Sequence, residues 1–388
     1  MAVRSTLVLI IAHLSSHLSS ALSSTPSLLS GGFAARGAYL AARAREDAAR
    51  AAKRAVFGDA LAQLPVAGKR GLAAGSTVAV TSATSGVGLE VARVLAQLGY
   101  GVVLCGRSAD KLAAASKDVS RVARGTVDTA LFDLESLTET RAAAAALPPD
   151  VNGLILCAGA WPTTLRLTED ELEAGLQANH LSHFLLTTAL LERGGVERVV
   201  AVSSSAHTST RNDALDLDDA ATWTARSFDA LENYAQTKLM NALFARELPR
   251  RYPGLVAVSA HPGVVATELF RDFDVAPPPD PFGVVPAGLD RSLASFADGA
   301  ASFLKAAVDA APVSPFKKSR DAARDIVVGL LRDDVEPGAY LSDGEETPPS
   351  PGVDDAAAAA LWDWSRSVVD DSLAAADAER ADGEWGGS

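Results

Sequence analysis

A short apolar run, a turn of small residues and a helical pattern follow one another in the first third of the chain, and this order limits the possible folds most. Residues 76–80 have the composition of a buried strand, and the apolar spacing over 89–98 predicts a helix. The turn between them, 81–88, contains Gly86 and Gly88. Glycines let the backbone approach a pyrophosphate, and a helix N-terminus offers N–H donors and the positive end of a dipole. The pattern therefore predicts a dinucleotide-binding βα unit.

Short β-rich runs alternate with Ala- and Leu-rich helical patterns as far as about residue 259. This alternation is typical of the α/β class and predicts one doubly wound parallel (Rossmann) sheet in a single domain, although 388 residues could hold two or three domains. We expect the domain to span residues 71–372. An N-terminal targeting and helical extension, 1–70, precedes it, and an acidic, glycine-rich tail, 373–388, is expected to be disordered.

Arg107 follows the second predicted strand, where an NAD-binding protein usually carries an acidic residue about 20 residues past its glycine turn. No acidic residue occurs between Gly99 and Ala109. A guanidinium can form charge-assisted, forked hydrogen bonds with a ribose 2′-phosphate. The position therefore favours NADP(H) over NAD(H), the alternative being a solvated arginine at a strand end.

Tyr234 and Lys238 lie four residues apart in a predicted helix, downstream of a serine cluster at 203–205. Residues at this spacing share a helix face, so the ammonium can favour the phenolate and lower the phenol's pKa from its ordinary value of about 10. A serine hydroxyl at a strand end could hold a substrate oxygen beside the phenol. Such a pair by itself usually lies on a solvated surface, but together with the glycine-rich turn it indicates acid–base chemistry.

These motifs, in this order, resemble the short-chain dehydrogenase/reductase family over roughly residues 74–370. The segments Gly338-Ala-Tyr-Leu-Ser-Asp343 and Leu361-Trp-Asp-Trp-Ser365 resemble the C-terminal end of its retinol-dehydrogenase-like subgroup. The usual Thr-Gly-x-x-x-Gly-x-Gly turn is present as Thr81-Ser-Ala-Thr-Ser-Gly-Val-Gly88, with Ser82 in place of the first glycine. The Asn-Asn-Ala-Gly segment after strand four is matched only in part, by Leu156-Cys-Ala-Gly159. The side-chain hydrogen bonds that brace the sheet through those asparagines are therefore expected to be lost.

The resemblance implies a catalytic tetrad of Asn179, Ser204, Tyr234 and Lys238. In it, Tyr234 is the general acid/base, Lys238 lowers its pKa and holds the ribose, Ser204 orients the substrate oxygen and Asn179 supports a proton-relay water. The resemblance also places Asp133 beside the adenine and Thr267 near the nicotinamide carboxamide. The full set of expected cofactor-binding residues is Thr81, Ser82, Thr84, Ser85, Gly86, Val87, Gly88, Arg107, Asp133, Leu134, Ala158, Gly159, Tyr234, Lys238, Pro262, Gly263, Val265 and Thr267.

The activity that the resemblance implies is an NADP(H)-dependent interconversion of a lipophilic alcohol and a carbonyl compound of retinoid, steroid or fatty-aldehyde type. The expected partners are a small lipophilic substrate and, as a further possibility, a second copy of the chain. Two alternatives stay open: a plastid pigment or quinone reductase, and a non-catalytic NADP(H)-binding sensor, which the departures at Ser82 and 156–157 suggest. The proline-rich segment 271–288 is interpreted as a lid over the substrate or as a surface loop.

Charge and ligand spacing argue against two other classes of partner. A net charge of −13 without an evident basic face argues against nucleic acid. The six histidines have no metal-ligand spacing, so no metal is predicted and His180 and His207 are interpreted as structural. Cys105 and Cys157 are expected to end the strands on either side of strand one, about 10 Å apart and beyond disulfide reach.

The N-terminus has the composition of a targeting leader. An apolar run at 7–12 precedes a serine- and leucine-rich tract with no acidic residue before Glu46. The run is shorter than the about 20 residues that a membrane span requires, so no spanning segment is predicted. It fits the hydrophobic region of a signal peptide followed by a transit peptide. We expect a plastid or secretory-pathway/ER location rather than the cytoplasm, the alternative being a loosely attached amphipathic arm.

Overall fold

The computed structural model describes residues 71–210, 214–215, 217, 228–263, 265 and 317–385. All of them belong to one compact unit, Asp59–Ser388. The expected leader, the 271–288 segment and Thr267 lie outside the described residues. The described strands are β1 (Thr77–Val80), β2 (Gly101–Gly106), β3 (Val127–Leu131), β4 (Val151–Leu156), β5 (Arg198–Val202), β6 (Val256–His261), β7 (Tyr340–Ser342) and β8 (Glu345–Glu346). The described helices are α1 (Gly86–Leu98), α2 (Ala109–Ser120), α3 (Leu137–Ala146), α4 (Ala174–Leu176), α5 (Ser182–Arg193), α6 (Ala230–Arg251), α7 (Ser319–Leu331) and α8 (Asp355–Trp385).

The described strands form one sheet in the order β3-β2-β1-β4-β5-β6-β7-β8. Strands β1 to β7 pair in parallel, and β8 runs antiparallel to β7. The strand order reverses direction between β1 and β4, and in sheets of this kind the crevice at the carboxyl ends beside that reversal binds the ligand. The predicted doubly wound parallel sheet is confirmed.

Helices cover both faces of the sheet. Leu154 and Val199 pack on one face with residues of α3, α5, α6 and α8. Their neighbours Ile155 and Val200 pack on the other face with residues of α1, α2 and α7. Because successive strand residues point to opposite faces and both faces are apolar, the central strands have nearly continuous apolar sequences.

The last helix, α8, continues through most of the segment that was expected to be disordered. Val369 and Leu373 are buried in the same core as α6, and Arg141 forms a two-pronged salt bridge with Asp377, with N–O distances of 2.8 and 2.6 Å. The expectation of disorder from residue 373 is therefore wrong as far as Trp385, the end of α8. Its acidic, alanine-rich composition is compatible with a helix because alanine has the highest helix propensity.

Two further features of the described residues concern membranes and thiols. None of the helices in these ranges is long and apolar enough to cross a bilayer. Cys105 lies in β2 and Cys157 directly follows β4, on opposite sides of β1, and both thiols are free.

Candidate active site

The predicted site residues lie at the carboxyl ends of the parallel strands, which meet at one edge of the sheet. The described members of the set follow their strands as Thr81–Gly88 after β1, Arg107 after β2, Asp133 and Leu134 after β3, Ala158 and Gly159 after β4, Ser204 after β5, and Pro262, Gly263 and Val265 after β6. Tyr234 and Lys238 come from α6, and Asn179 lies in a π-helical turn, Gln177–Leu181, between α4 and α5. The fold thus places the carboxyl ends of the strands next to α6 and to the π-helical turn, and the predicted residues meet there.

The glycine-rich turn has the backbone that its sequence predicts, including at the position that departs from the family pattern. Ser82 has a φ of 54°, in the left-handed region that favours glycine, and Gly86 has the same value. A Cβ on Gly88 would lie 2.4 Å from the carbonyl oxygen of Ser82, so the start of α1 approaches the turn too closely for any side chain. The turn therefore keeps its shape, at the cost of strain at Ser82.

The hydroxyl of Thr81 joins the ends of β1 and β4. Its Oγ1 accepts hydrogen bonds from the backbone N–H groups of Cys157 at 2.8 Å and Ala158 at 3.0 Å. It also lies 3.0 Å from Nε2 of His183. The sequence lacks the two asparagines whose side chains would brace the sheet after β4. The hydrogen bonds to the Thr81 hydroxyl provide part of that support.

His183 was missed by sequence reasoning, although its position one turn after Asn179 in a helix could have indicated it. Its Nδ1 lies 3.0 Å from the carbonyl oxygen of Asn179. Since a carbonyl can only accept, Nδ1 carries the proton and Nε2 accepts from the Thr81 hydroxyl. Burial lowers the pKa of His183 to about 4, so the ring is neutral at physiological pH.

The side chain of Asn179 clamps the backbone of Ala160. Its Oδ1 accepts from the Ala160 N–H at 2.6 Å, and its Nδ2 donates to the Ala160 carbonyl at 2.8 Å. The same Nδ2 lies 3.0 Å from Oγ1 of Thr237 in α6. The buried amide therefore links α6 to the segment that follows β4, and it fixes the backbone immediately before Trp161.

Tyr234 is buried. Burial raises the pKa of Tyr234 to about 12, and the nearby side chain of Ser204 opposes that shift. The spacing of Tyr234 and Lys238 predicted a lowered pKa for the phenol, and that prediction is wrong. The physical reason is that desolvation of the phenolate outweighs the stabilisation of its charge.

Lys238 is buried behind the phenol, and it does not hydrogen-bond to the phenolic oxygen. Its Nζ donates to the carbonyl of Val202 at 3.3 Å and lies 5.5 Å from the centroid of the Tyr234 ring. A Cβ on Gly159 would lie 3.2 Å from the same Nζ, so the ammonium faces the segment after β4. Burial lowers the pKa of Lys238 to about 8.

Trp161 lies directly against Tyr234, and no motif in the sequence indicated it. The two rings stack with centroids 4.5 Å apart and planes 9° from parallel. The indole therefore covers one face of the phenol, and Trp161 lines the site beside Tyr234.

Ser204 is held from two directions. Its Oγ accepts from the N–H of Ala206 at 3.2 Å, at the start of a 3₁₀ turn, Ser205–Thr208. The preceding Ser203 donates from Oγ to the carbonyl of Lys238 at 2.7 Å. These bonds attach the end of β5 to α6 and bring Ser204 next to Tyr234.

Arg107 does not stand apart from acidic residues, contrary to what its immediate sequence suggested. Its guanidinium lies 3.2 Å from a carboxylate oxygen of Glu135 and 3.5 Å from one of Asp133. Glu135 is also held by Arg166, at 2.5 and 2.9 Å. The hydrogen bond from Arg166 lowers the pKa of Glu135 most, against the opposing effect of burial, and Arg107 contributes as well. Glu135 and Arg166 lie far from Arg107 in the sequence, so the residues next to Arg107 could not reveal them.

The Pro262–Gly263 turn packs against Lys317, which sequence reasoning also missed. Gly263 has a φ of 82°, and a Cβ there would lie 2.7 Å from Cδ of Lys317. The Lys317 ammonium pairs with Asp325 at 2.6 Å and with Asp343. Val265 forms a β-bridge with Lys317. Its contact with a cofactor stays a prediction.

Comparisons with known proteins agree on one family. A family model described as short chain dehydrogenase matches residues 76–213. A candidate daunorubicin C-13 ketoreductase from Streptomyces is 31% identical over 77% of this chain and 94% of its own length. Human retinol dehydrogenase 14 is 30% identical over 82% and 93%, and the chloroplastic short-chain dehydrogenase TIC 32 B of Brassica napus is 30% identical over 76% and 88%. A crystal structure of an uncharacterized protein from Mycobacterium paratuberculosis, 28% identical, covers 76% of this chain and 94% of its own with a TM-score of 0.56.

Proposed function

The chain belongs to the short-chain dehydrogenase/reductase family, as a retinol-dehydrogenase-like NAD(P)(H)-dependent oxidoreductase, and on that basis we propose that it interconverts a lipophilic alcohol and its carbonyl compound. One observation carries the proposal: the side chain of Ser204 acts on the buried Tyr234 phenol and opposes the rise in its pKa that burial causes, and the Lys238 ammonium lies beside the same ring. A proton donor next to a second hydroxyl can hold and protonate a substrate oxygen.

The residues at the carboxyl edge fit a dinucleotide. The Ser85 side chain makes no capping hydrogen bond at the start of α1, so the backbone N–H groups there would bind a pyrophosphate. Gly159 and Lys238 would hold the ribose next to the nicotinamide, and Arg107 would hold a 2′-phosphate, so we propose NADP(H) as the preferred form. When bound, the cofactor supplies or accepts the hydride.

The proton chemistry is assigned to Tyr234. A phenol with a pKa of about 12 stays protonated at neutral pH, which suits it to donate a proton to the oxygen of a carbonyl that is being reduced. In the oxidising direction the same oxygen accepts the alcohol proton. Ser204 orients the substrate oxygen through its hydroxyl. The role of Asn179 in holding a relay water stays a prediction, and the clamp on Ala160 gives it a positioning role as well.

The lipophilic substrate class is supported by Trp161 and by the relatives. The Trp161 indole places a large aromatic side chain against the ring of Tyr234. The relatives' names refer to retinol and to a daunorubicin ketone. A plastid pigment or quinone reductase stays the second candidate, because a chloroplastic relative covers most of this chain.

The test is turnover by the purified full-length protein with NADP(H) and NAD(H) against retinoids, steroids, fatty aldehydes and quinones. Tyr234→Phe keeps the ring but removes the proton, so turnover should fall by at least about 100-fold while the cofactor still binds. Lys238→Met should weaken both turnover and cofactor binding, and Ser204→Ala should slow turnover alone. Retention of more than about a tenth of the activity by Tyr234→Phe would mean that the proton comes from another group.

The rival without chemistry is an NADP(H)-binding sensor. It predicts cofactor binding with no turnover of any carbonyl or alcohol in the same screen. Two results together would favour the sensor: NADP(H) binds equally well to wild type and to Tyr234→Phe, and wild type does not measurably oxidise NADPH.

The compartment is proposed from residues 1–70 and from the chloroplastic relative, which is compatible with a plastid. A fluorescent protein fused behind residues 1–70 should enter a plastid or the secretory route. Diffuse cytosolic fluorescence would contradict targeting by this segment.

A further inference from the structure

His207 lies directly behind Ser204 and has a hydrogen-bond partner on each ring nitrogen. Its Nδ1 lies 2.7 Å from the carbonyl oxygen of Ser204, and its Nε2 lies 3.1 Å from the backbone nitrogen of Ser350. The ring also packs on Tyr340 of β7, with centroids 4.7 Å apart. Both His207 and Ser350 are buried. One imidazole therefore connects the segment after β5 with a segment 143 residues further along the chain.

The two partners determine which nitrogen carries the proton. The Ser204 carbonyl can only accept, and the Ser350 N–H can only donate. The imidazole must therefore carry its proton on Nδ1 and present the Nε2 lone pair to Ser350. A second proton would set Nε2–H against the N–H of Ser350, so only this neutral form makes both bonds.

Hydrogen bonds of Ser203 to α6 and β6 hold the chain before Ser204, whereas the carbonyl of Ser204 belongs to the short turn after it. This 3₁₀ turn has only four residues, Ser205–Thr208, and the hydrogen-bond geometry of such turns is poorer than that of an α-helix. The Ser204 carbonyl accepts from the backbone N–H of His207 at 3.1 Å as well as from its ring. The ring, unlike the backbone N–H, also makes contacts outside the turn, with Tyr340 of β7 and with Ser350.

We propose that His207 is a positioning residue for the reaction: it holds the Ser204 backbone, and so the Ser204 hydroxyl, in register with Tyr234 by anchoring it to Ser350 and Tyr340. The inference rests on the proposed function of Ser204 and deepens it. A displacement of a fraction of an ångström at the hydroxyl is enough to slow a reaction that depends on near-attack geometry.

The chain offers a matched pair of variants for the Ser350 bond. Ser350→Pro removes the N–H that donates to His207, and the residue already precedes Pro351, which biases its backbone toward the extended region that proline tolerates. Ser350→Ala keeps that N–H and removes only the hydroxyl, which accepts from Gly352 N–H at 3.4 Å. We expect Ser350→Pro to lower kcat by about 10-fold and Ser350→Ala by less than about twofold.

His207→Gln tests the other end of the bridge, because its amide can still accept from Ser350 but no longer reaches the Ser204 carbonyl. We expect kcat to fall by about 10-fold, with the NADP(H) dissociation constant and the melting temperature close to wild type. The deciding readout is a double-mutant cycle. In a Ser204→Ala background the same substitution should lower kcat by less than about twofold, because the hydroxyl that His207 positions is absent.

Each outcome decides between explanations. Additive losses in the cycle, or a parallel fall in cofactor affinity and melting temperature, would mean a general structural role and overturn the inference. Unchanged kcat in both His207→Gln and Ser350→Pro would overturn it as well. A Ser204→Ala variant with full activity would instead contradict the proposed role of Ser204, and so identify a failure of the proposed function itself.

Discussion

The indole of Trp161 lies face to face with the phenol of Tyr234, 4.5 Å between centroids and 9° from parallel. The Asn179 amide holds the backbone of the preceding residue, Ala160, by two hydrogen bonds. This arrangement keeps water away from one face of the phenol, and it accounts in part for the burial that raises the pKa of Tyr234.

Trp161→Ala should therefore change the pH dependence of turnover. Water that enters in place of the indole favours the phenolate, so the pKa of Tyr234 should fall from about 12 toward its ordinary value. In the oxidising direction the rise of kcat with pH should move to lower pH, and kcat should drop by about 10-fold because the ring is held less firmly. Trp161→Phe keeps a flat ring and should retain most of the wild-type profile. An unchanged profile in Trp161→Ala would contradict a role of the stack.

Cofactor preference should depend on Glu135 as well as on Arg107. Arg107→Asp should reduce or invert the preference for NADP(H), because it replaces a cation by an anion where the 2′-phosphate is proposed to bind. Glu135→Gln removes a carboxylate that competes for Arg107. Exposed ion pairs contribute about 0.2–1 kcal/mol, so the dissociation constant for NADP(H) should fall by no more than about fivefold. Binding of NAD(H) is the control and should not change. Equal wild-type affinity for both cofactors would rule out the Arg107 assignment.

Ser82→Gly should stabilise the protein. A non-glycine residue in the left-handed region destabilises the folded state by about 1–2 kcal/mol. Glycine relieves that strain, but its greater freedom in the unfolded chain offsets about 0.5–1 kcal/mol of the gain. The free energy of unfolding should therefore rise by up to about 1 kcal/mol, measured by denaturant titration. Ser85 is the matched control because its φ is −158°, which any residue adopts. Ser85→Gly should lower stability by about 0.5–1 kcal/mol. Equal effects of both substitutions would show that Ser82 is not strained.

Stability should fall in mild acid because two buried histidines are neutral in the fold. Burial lowers the pKa of His180 to about 3 and of His183 to about 4. Both values lie below the unfolded one, about 6.5, so the unfolded state binds more protons below that pH and the free energy of unfolding decreases as pH falls. Between about pH 7.5 and 5.5, each histidine should contribute a loss of about 1 kcal/mol. Denaturant titrations at the two pH values measure it. His183→Gln should show a smaller loss than wild type, and an identical pH dependence would contradict the assignment.

Trp362 in α8 should be needed for stability. It is 6% exposed and packs against Phe184 and Phe244, with ring centroids 4.9 and 6.0 Å away. Trp362→Ala should cost about 3–5 kcal/mol, the range for large aromatic truncations in a core. Trp364, two residues on, is only partly buried and serves as the control. A similar loss for both variants, measured by thermal unfolding, would mean that α8 does not depend on the aromatic cluster.

The local patterns predicted a large part of the fold and the order of the site residues. The alternation of strands and helices, the turn at 81–88 and the spacing of Tyr234 and Lys238 are short-range features, because each depends on neighbours within a few residues along one strand or helix. The left-handed backbone at Ser82 belongs to the same group, since the shape of that turn requires it whatever residue occupies the position.

The tertiary structure decided the surroundings of those residues. Trp161 reaches Tyr234, Glu135 reaches Arg107 and Ser350 reaches His207 only when separate elements pack, and in each case the partner is distant in the sequence. The pKa of Tyr234 followed burial rather than the lysine four residues away. Desolvation and side-chain pairing depend on what surrounds a group in space, which neighbours in the chain do not specify. The sequence therefore determined which groups are present and in what order. The packing of the fold determined their protonation and which distant residues they contact.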